Sequence, residues 1–127
     1  MSDFNSQHNR FVWVDIPVTD LERASKFYAA VLSINVHQEV FGEFRFAVLA
    51  HERGNGGCLV PKTAEPTSGG LLVYMNVDGR IRDAVAKVAE SGGQVLKPIH
   101  SIGPHGFRAL LLDSEGNQIA LHSQTDA

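Results

Sequence analysis

An imidazole, a carboxylate, two guanidinium groups and a few rings and amides are the chemical resources of this chain, and most of them fall in strand-like stretches. His122 ends the run Gln118 to His122, and Asp15 sits inside Phe11 to Val18. Imidazole titrates near neutral pH and a neighbouring carboxylate raises its basicity, so the two form a candidate acid–base pair if their strands are adjacent. The plainer roles are a strand-edge histidine bonded to backbone or water and a sheet-end carboxylate held by backbone amides. Trp13 and Tyr74 offer flat surfaces to a planar ligand, and Asn76 and Gln118 each present a donor and an acceptor. Arg45 and Arg108 recur after phenylalanine, in Phe44-Arg45 and Phe107-Arg108. Either one turned inward suits a carboxylate or phosphate through a bidentate pair. Because Phe107 to Leu112 is nearly all apolar, parity leaves the direction of Arg108 open, with a solvated outer face as the default.

Other chemistries find no support. No nucleophile elbow, paired-carboxylate motif or dinucleotide fingerprint is present. Ser101 to Gly106 is glycine-rich but opens no helix, so it is no phosphate cradle. It reads as a shaped loop that leaves His105 a weak ligand contact. The single cysteine, Cys58, excludes an internal disulfide and reads as a small buried hydrophobe without a catalytic role. His51, His100 and His105 are expected in loops.

The strands that carry these groups have two unlike faces, since successive side chains point to opposite sides of a sheet. Val12, Val14, Ile16 and Val18 share one side of their strand, and Phe11, Trp13, Asp15 and Pro17 the other. Val73, Met75 and Val77 oppose Leu72, Tyr74 and Asn76; Ile119 and Leu121 oppose Gln118, Ala120 and His122. The uniformly aliphatic face is expected under helices. The mixed face reads as a half-open pocket wall, where a few polar groups orient a ligand among apolar ones.

Helices to cover the aliphatic face are legible, and the pattern is written twice. Val18 to Val36 and Val77 to Val95 both run strand end, capped amphipathic helix, new strand at Asn35 or Gln94. Thr19 and Glu22 stand at capping-box spacing before the stripe Leu21, Ala24, Phe27, Tyr28, Val31 and Leu32. Asp78 can cap the second helix, with Ile81, Ala84, Val85, Val88 and Ala89 as its apolar side and Ser91-Gly92-Gly93 as its end. Gly54-Asn55 and Gly116-Asn117 mark matching hairpin turns. The expectation is an α+β chain of two βαβββ modules, 11–60 and 71–124, joined by a connector over 61–70 and preceded by a disordered lead-in over 1–10.

With 127 residues and 43% hydrophobic content, the chain can bury a real core. A formal charge of −3 without a basic run gives no footprint for nucleic acid or an anionic membrane. No apolar stretch approaches the roughly 20 residues of a membrane span, and the polar start is unlike a signal peptide, so a cytoplasmic protein is expected.

The stretch from Phe11 to Leu32, with its Val-x-Asp-Leu-x-Arg-Ala-x-x-Phe-Tyr pattern, together with Gly106 to His122 and its Asp-x-x-Gly-Asn, resembles the vicinal oxygen chelate superfamily. That superfamily includes glyoxalase I, bleomycin- and fosfomycin-resistance proteins and extradiol dioxygenases. The resemblance runs from about Phe11 to Ser123. It implies paired βαβββ modules whose curved mixed sheets enclose a cleft, helices on the outer face, and commonly a homodimer. It also implies a divalent metal held by His or Glu from the first and last strands of the modules. Here those positions fall on Trp13, within Gly57 to Val60, on Leu72 and on Ala120, none of which is a ligand. Asp15 and His122 are the nearby donors, and two are too few for a catalytic ion. The expectation is therefore no metal and no cofactor. Trp13, Tyr74, Asn76, Gln118, Leu72, Ala120 and Arg108 would line a site for a small, partly aromatic or hydrophobic molecule. The alternative is a lyase, isomerase or dioxygenase acting through His122 and Asp15 or through a recruited metal.

Overall fold

The computed structural model describes residues 9–62 and 70–127. Within them the chain forms eight strands and two α-helices in an α+β fold that divides into two units, Trp13–Leu72 and Val73–Ala127, the latter with the described residues up to Val12. Residues 1–8 and 63–69, which hold most of the expected lead-in and connector, lie outside the described residues. Asn9 and Arg10 are described: their carbonyls accept from the Asn76 side-chain and backbone amides at 2.9 and 2.8 Å.

The first unit is built from β1 (Phe11–Val18, whose first two residues fall in the other unit), α1 (Leu21–Leu32), β2 (Val36–Phe41), β3 (Phe44–Leu49) and β4 (Gly56–Pro61). β2, β3 and β4 pair antiparallel in turn, and β4 pairs parallel with β1. Two expectations for α1 are corrected. Its N-cap is Asp20, in extended conformation, whose Oδ1 accepts from Arg23 N–H at 3.0 Å. Asp20 stands three residues before that amide, the reach a capping carboxylate needs. Thr19 instead accepts from the Arg23 guanidinium at 3.1 Å. The stripe is only partly covered: no α1 residue is buried, and Phe27 and Val31 are 58% and 63% exposed. Helical periodicity reports which residues share a side, not how much of that side is covered.

The second unit repeats the order with β5 (Leu72–Asn76, whose first residue falls in the other unit), α2 (Ile81–Ala86), a 3-10 turn at Ala89–Ser91, β6 (Gln94–Ser101), β7 (Phe107–Leu112) and β8 (Gln118–Ser123). β5 pairs parallel with β8, and β8, β7 and β6 pair antiparallel. Here the helix does cover the aliphatic face. Ile81, Val88, Leu111 and Leu121 form the buried cluster, with Met75, Val77, Ala84, Val85 and Ile119 packed against it. Asp78 does not cap α2, whose N-cap is Arg80 without a side-chain bond. Its carboxylate accepts from Gln124 N–H at 2.7 Å and the Ser123 hydroxyl at 3.4 Å, tying the chain after β8 to the loop before α2. Asp78 stands too far upstream of Ile81 to reach the helix's first amides. Gly92, at φ 94°, closes the turn that follows α2, as its lack of a Cβ permits.

Candidate site on the mixed sheet faces

Pairing register fixes which side chains share each face. In the first unit Asp15 lies opposite Cys58, and Cys58 opposite Val48. In the second, Tyr74 lies opposite Ala120 and Ala120 opposite Leu110, while Asn76, His122 and Arg108 form the next row. Arg108 is therefore on the mixed face. On the mixed face Trp13, Asp15, Leu72, Tyr74, Arg108, Ala120 and His122 are buried, Pro17, Asn76 and Gln118 half-buried and Phe11 exposed; on the aliphatic face Val12 and Leu121 are buried and Val14, Ile16, Val73 and Met75 half-buried. The centre of the expected half-open wall is thus a buried polar layer, and its margins are half-buried or exposed. Sequence alternation separates the faces but cannot say which one loses more water.

In the first unit this layer is a short chain. The Trp13 indole donates to Cys58 Sγ at 3.4 Å, and the thiol donates to Asp15 Oδ1 at 3.1 Å. The His51 ring stands edge-on to Trp13, 6.1 Å between centroids. Cys58 is buried as expected, but in a polar role rather than as a plain hydrophobe, and Asp15 is held by a thiol.

In the second unit the layer centres on Arg108, 7% exposed. Its Nη1 donates to the Tyr74 hydroxyl at 2.6 Å and its Nε to His100 Nε2 at 2.9 Å. His100 Nδ1 lies 2.8 Å from the Pro98 carbonyl, which only accepts, so Nδ1 carries the proton and Nε2 the lone pair. This corrects two expectations: Arg108 is not on a solvated face, and His100 belongs to β6 rather than a loop. Arg45, one position out of register with Arg108, faces the other way and bonds to Gln38 at the surface. The apolar run around Arg108 hid its direction; the register against His122 reveals it.

His122 is fully buried, not an edge residue, because β8 lies between β5 and β7. Its Nε2 donates to the His105 carbonyl at 2.7 Å, which leaves Nδ1 unprotonated. Burial pushes its pKa below the ordinary imidazole value, outweighing the His105 carbonyl and the Asp78 carboxylate, which raise it. The Tyr74 ring lies 6.5 Å from it. Gly106 makes this approach feasible: it sits at φ 101°, and a Cβ there would lie 2.5 Å from the Ser123 carbonyl and 3.3 Å from His122 Nε2. Asn76 is engaged by backbone, accepting from Asp78 N–H at 2.9 Å while its amide holds Asn9. Gln118 is half-buried at the start of β8, opposite Leu112. Asp15 belongs to the first unit and His122 to the second, and each has a partner within its own unit.

The metal positions implied by resemblance do not suit an ion. The Trp13 indole is a donor without a lone pair, Leu72 and Ala120 offer carbon, and the one heteroatom side chain in Gly57 to Val60 is a thiol already donating to Asp15. Among the described residues no three His, Cys, Asp or Glu side chains converge as a metal-binding group. Nor is any helix among them long and apolar enough to cross a membrane.

Comparison with known proteins agrees with this fold. Residues 10–43 match the model for the bleomycin resistance protein-like N-terminal family. A glyoxylase-like domain-containing protein of Didymella fabae is 29% identical over 121 residues, covering 90% of this chain and 93% of the relative. Among solved structures, methylmalonyl-CoA epimerase from Streptomyces coelicolor superposes with a TM-score of 0.72 at 20% identity, over 94% of this chain and 96% of that one. A hypothetical protein from Bacillus halodurans does so with a TM-score of 0.73 at 18% identity, over 95% and 98%. The family model, the glyoxylase-like relative and the epimerase fit the vicinal oxygen chelate superfamily, and the chain has a glyoxalase-like α+β fold.

Proposed function

We propose that this protein binds a small, partly aromatic or hydrophobic organic molecule on the mixed sheet face of its second unit, without a metal ion, as a cytoplasmic homodimer. The observation that carries the reading is the Arg108–Tyr74–His100 chain, a fixed set of polar groups on one sheet face with Leu110 and Ala120 in the neighbouring row. A few oriented polar groups beside apolar surface are what a small-molecule site needs. The side chains at the superfamily's metal positions favour binding over metal chemistry. Titration with bleomycin and with methylmalonyl-CoA, followed by calorimetry and by product analysis, tests it. Stoichiometric binding that persists in His122→Ala supports the proposal.

A second reading, an enzyme of the lyase, isomerase or dioxygenase type, draws on one observation. Burial favours the neutral form of His122, in which Nε2–H is held by the His105 carbonyl and Nδ1 is the basic nitrogen, the form a general base requires. Turnover of either compound that His122→Ala abolishes would replace the first reading with this one.

A further inference from the structure

The two strands that pair on one side only treat their open edges differently. β2 pairs with β3 and β6 with β7, and neither has a second strand beside it among the described residues. β6 is blunted: Pro98 lacks the N–H that a ladder needs, and the pairing with β7 shifts register between Val95 and His100. β2 carries neither device. Its pairing with β3 runs without a shift from Val36 opposite Leu49 to Phe41 opposite Phe44, and it contains no proline or lysine. Val40 and Phe41 on it are 65% and 47% exposed. A regular edge with exposed apolar side chains is a template for another strand.

The ladder also tells which backbone groups face out. Antiparallel residues alternate between those that bond the neighbouring strand and those turned away from it. The Asn35 carbonyl accepts from Ala50 N–H at 3.0 Å, so in the same register His37, Glu39 and Phe41 address β3. Val36, Gln38 and Val40 therefore turn their N–H and C=O groups outward.

This sequence complements itself in one register. Two antiparallel copies of β2 related by a two-fold axis match side chains on the same sheet face, so the axis passes through a residue. Through His37 it sets two imidazoles face to face and leaves Val40 beyond the end of the other strand; through Glu39 it opposes two carboxylates and leaves Val36 out. Through Gln38 it pairs Gln38 with Gln38 and Val36 with Val40, so that all the outward groups find partners. His37, which bonds Glu39 of its own strand at 3.1 Å, then also stands opposite Glu39 of the other copy, in the closely spaced type of pair.

Resting on the homodimer in the reading above, we propose that a second copy of this chain docks on β2, antiparallel and centred on Gln38, and extends the sheet across the two-fold axis. Sedimentation velocity of the full chain, with disulfide trapping under mild oxidation, tests it. The parent should sediment as a dimer. Gln38→Cys should give a covalent dimer, because residues facing each other in a hydrogen-bonded pair lie about 5.5 Å apart at Cα, within disulfide reach. Leu96→Cys, at an exposed position on β6, should not. Val40→Pro removes an outward N–H without touching the bonds to β3, and Val40→Lys places a charge on the edge. Each should weaken the dimer by about tenfold or more while circular dichroism stays native. A dimer that both variants leave intact, with no cross-link at Gln38, overturns the inference and keeps the homodimer. A parent that sediments as a monomer at every concentration overturns both.

Discussion

The two units place different chemistry in the same structural slots. In the first, Glu39, Phe46, Asp15, Cys58 and Val60 occupy the positions that His100, Arg108, Tyr74, Ala120 and His122 hold in the second, as the strand registers show. The first unit bonds a thiol to a carboxylate and an indole, and its β3 position is a ring. The second holds a guanidinium between a phenol and an imidazole, with a neutral histidine fixed nearby. Because both sets fit one βαβββ frame, the frame itself dictates neither.

Reciprocal exchange of the β3 and β7 residues tests that difference most severely. Phe46→Arg buries a guanidinium in a slot that is 8% exposed, offset only in part by Glu39 opposite it on the next strand, and it should cost about 2–3 kcal/mol. Arg108→Phe gives up the bonds to Tyr74 and His100 but removes a buried charge, and its stability should stay within about 1 kcal/mol of the parent. Urea denaturation of both variants gives the answer. A similar large loss in both would mean that Arg108 is needed for folding, and the contrast between the units would collapse.

The hairpin glycines provide a second, smaller contrast. Gly42, between β2 and β3, and Gly106, before β7, both have positive φ, at 64° and 101°. A Cβ at Gly42 meets nothing within 4 Å, whereas at Gly106 it meets the Ser123 carbonyl and His122. Gly42→Ala should therefore cost about 1 kcal/mol, from left-handed strain alone, and Gly106→Ala about 2–3 kcal/mol. Equal midpoints in denaturant would show that the His105–His122 approach is loose enough to absorb a methyl group.

Much of this frame was legible in the residues. The span of β1, the start of β6, the doubled βαβββ order and the helix-facing side of β5 and β8 followed from period-two alternation and glycine placement. What sequence did not yield was depth and direction. Alternation placed Trp13, Tyr74 and His122 on one face but left that face half-open, because burial depends on what packs above it. Arg108 was unreadable inside Phe107–Leu112, since only its pairing with His122 fixes its side. The apparent match of Phe44-Arg45 with Phe107-Arg108 was one residue out of register, and a slip of one reverses every side chain. His100 was expected in a loop; it lies in β6, whose pairing with β7 shifts in register between Val95 and His100.

The gentlest discriminator between the units is pH. Val60 cannot titrate, but its counterpart His122 can, and burial depresses its folded-state pKa below the ordinary value of about 6.5. Above that value both folded and unfolded chains carry a neutral imidazole, so His122 adds no pH dependence. As pH falls through about 6.5 the unfolded chain takes up the proton first, and linkage then lowers folding stability until the depressed folded pKa is passed. Urea midpoints for the parent should fall between about pH 7.5 and pH 5.5, more steeply than those of His122→Val, which carries the residue of the first unit. The other histidines contribute equally to both proteins, so the difference in slope belongs to His122. Parallel slopes would mean that the imidazole protonates as readily in the folded chain as in the unfolded one, and its assignment as a buried neutral base would fall with them.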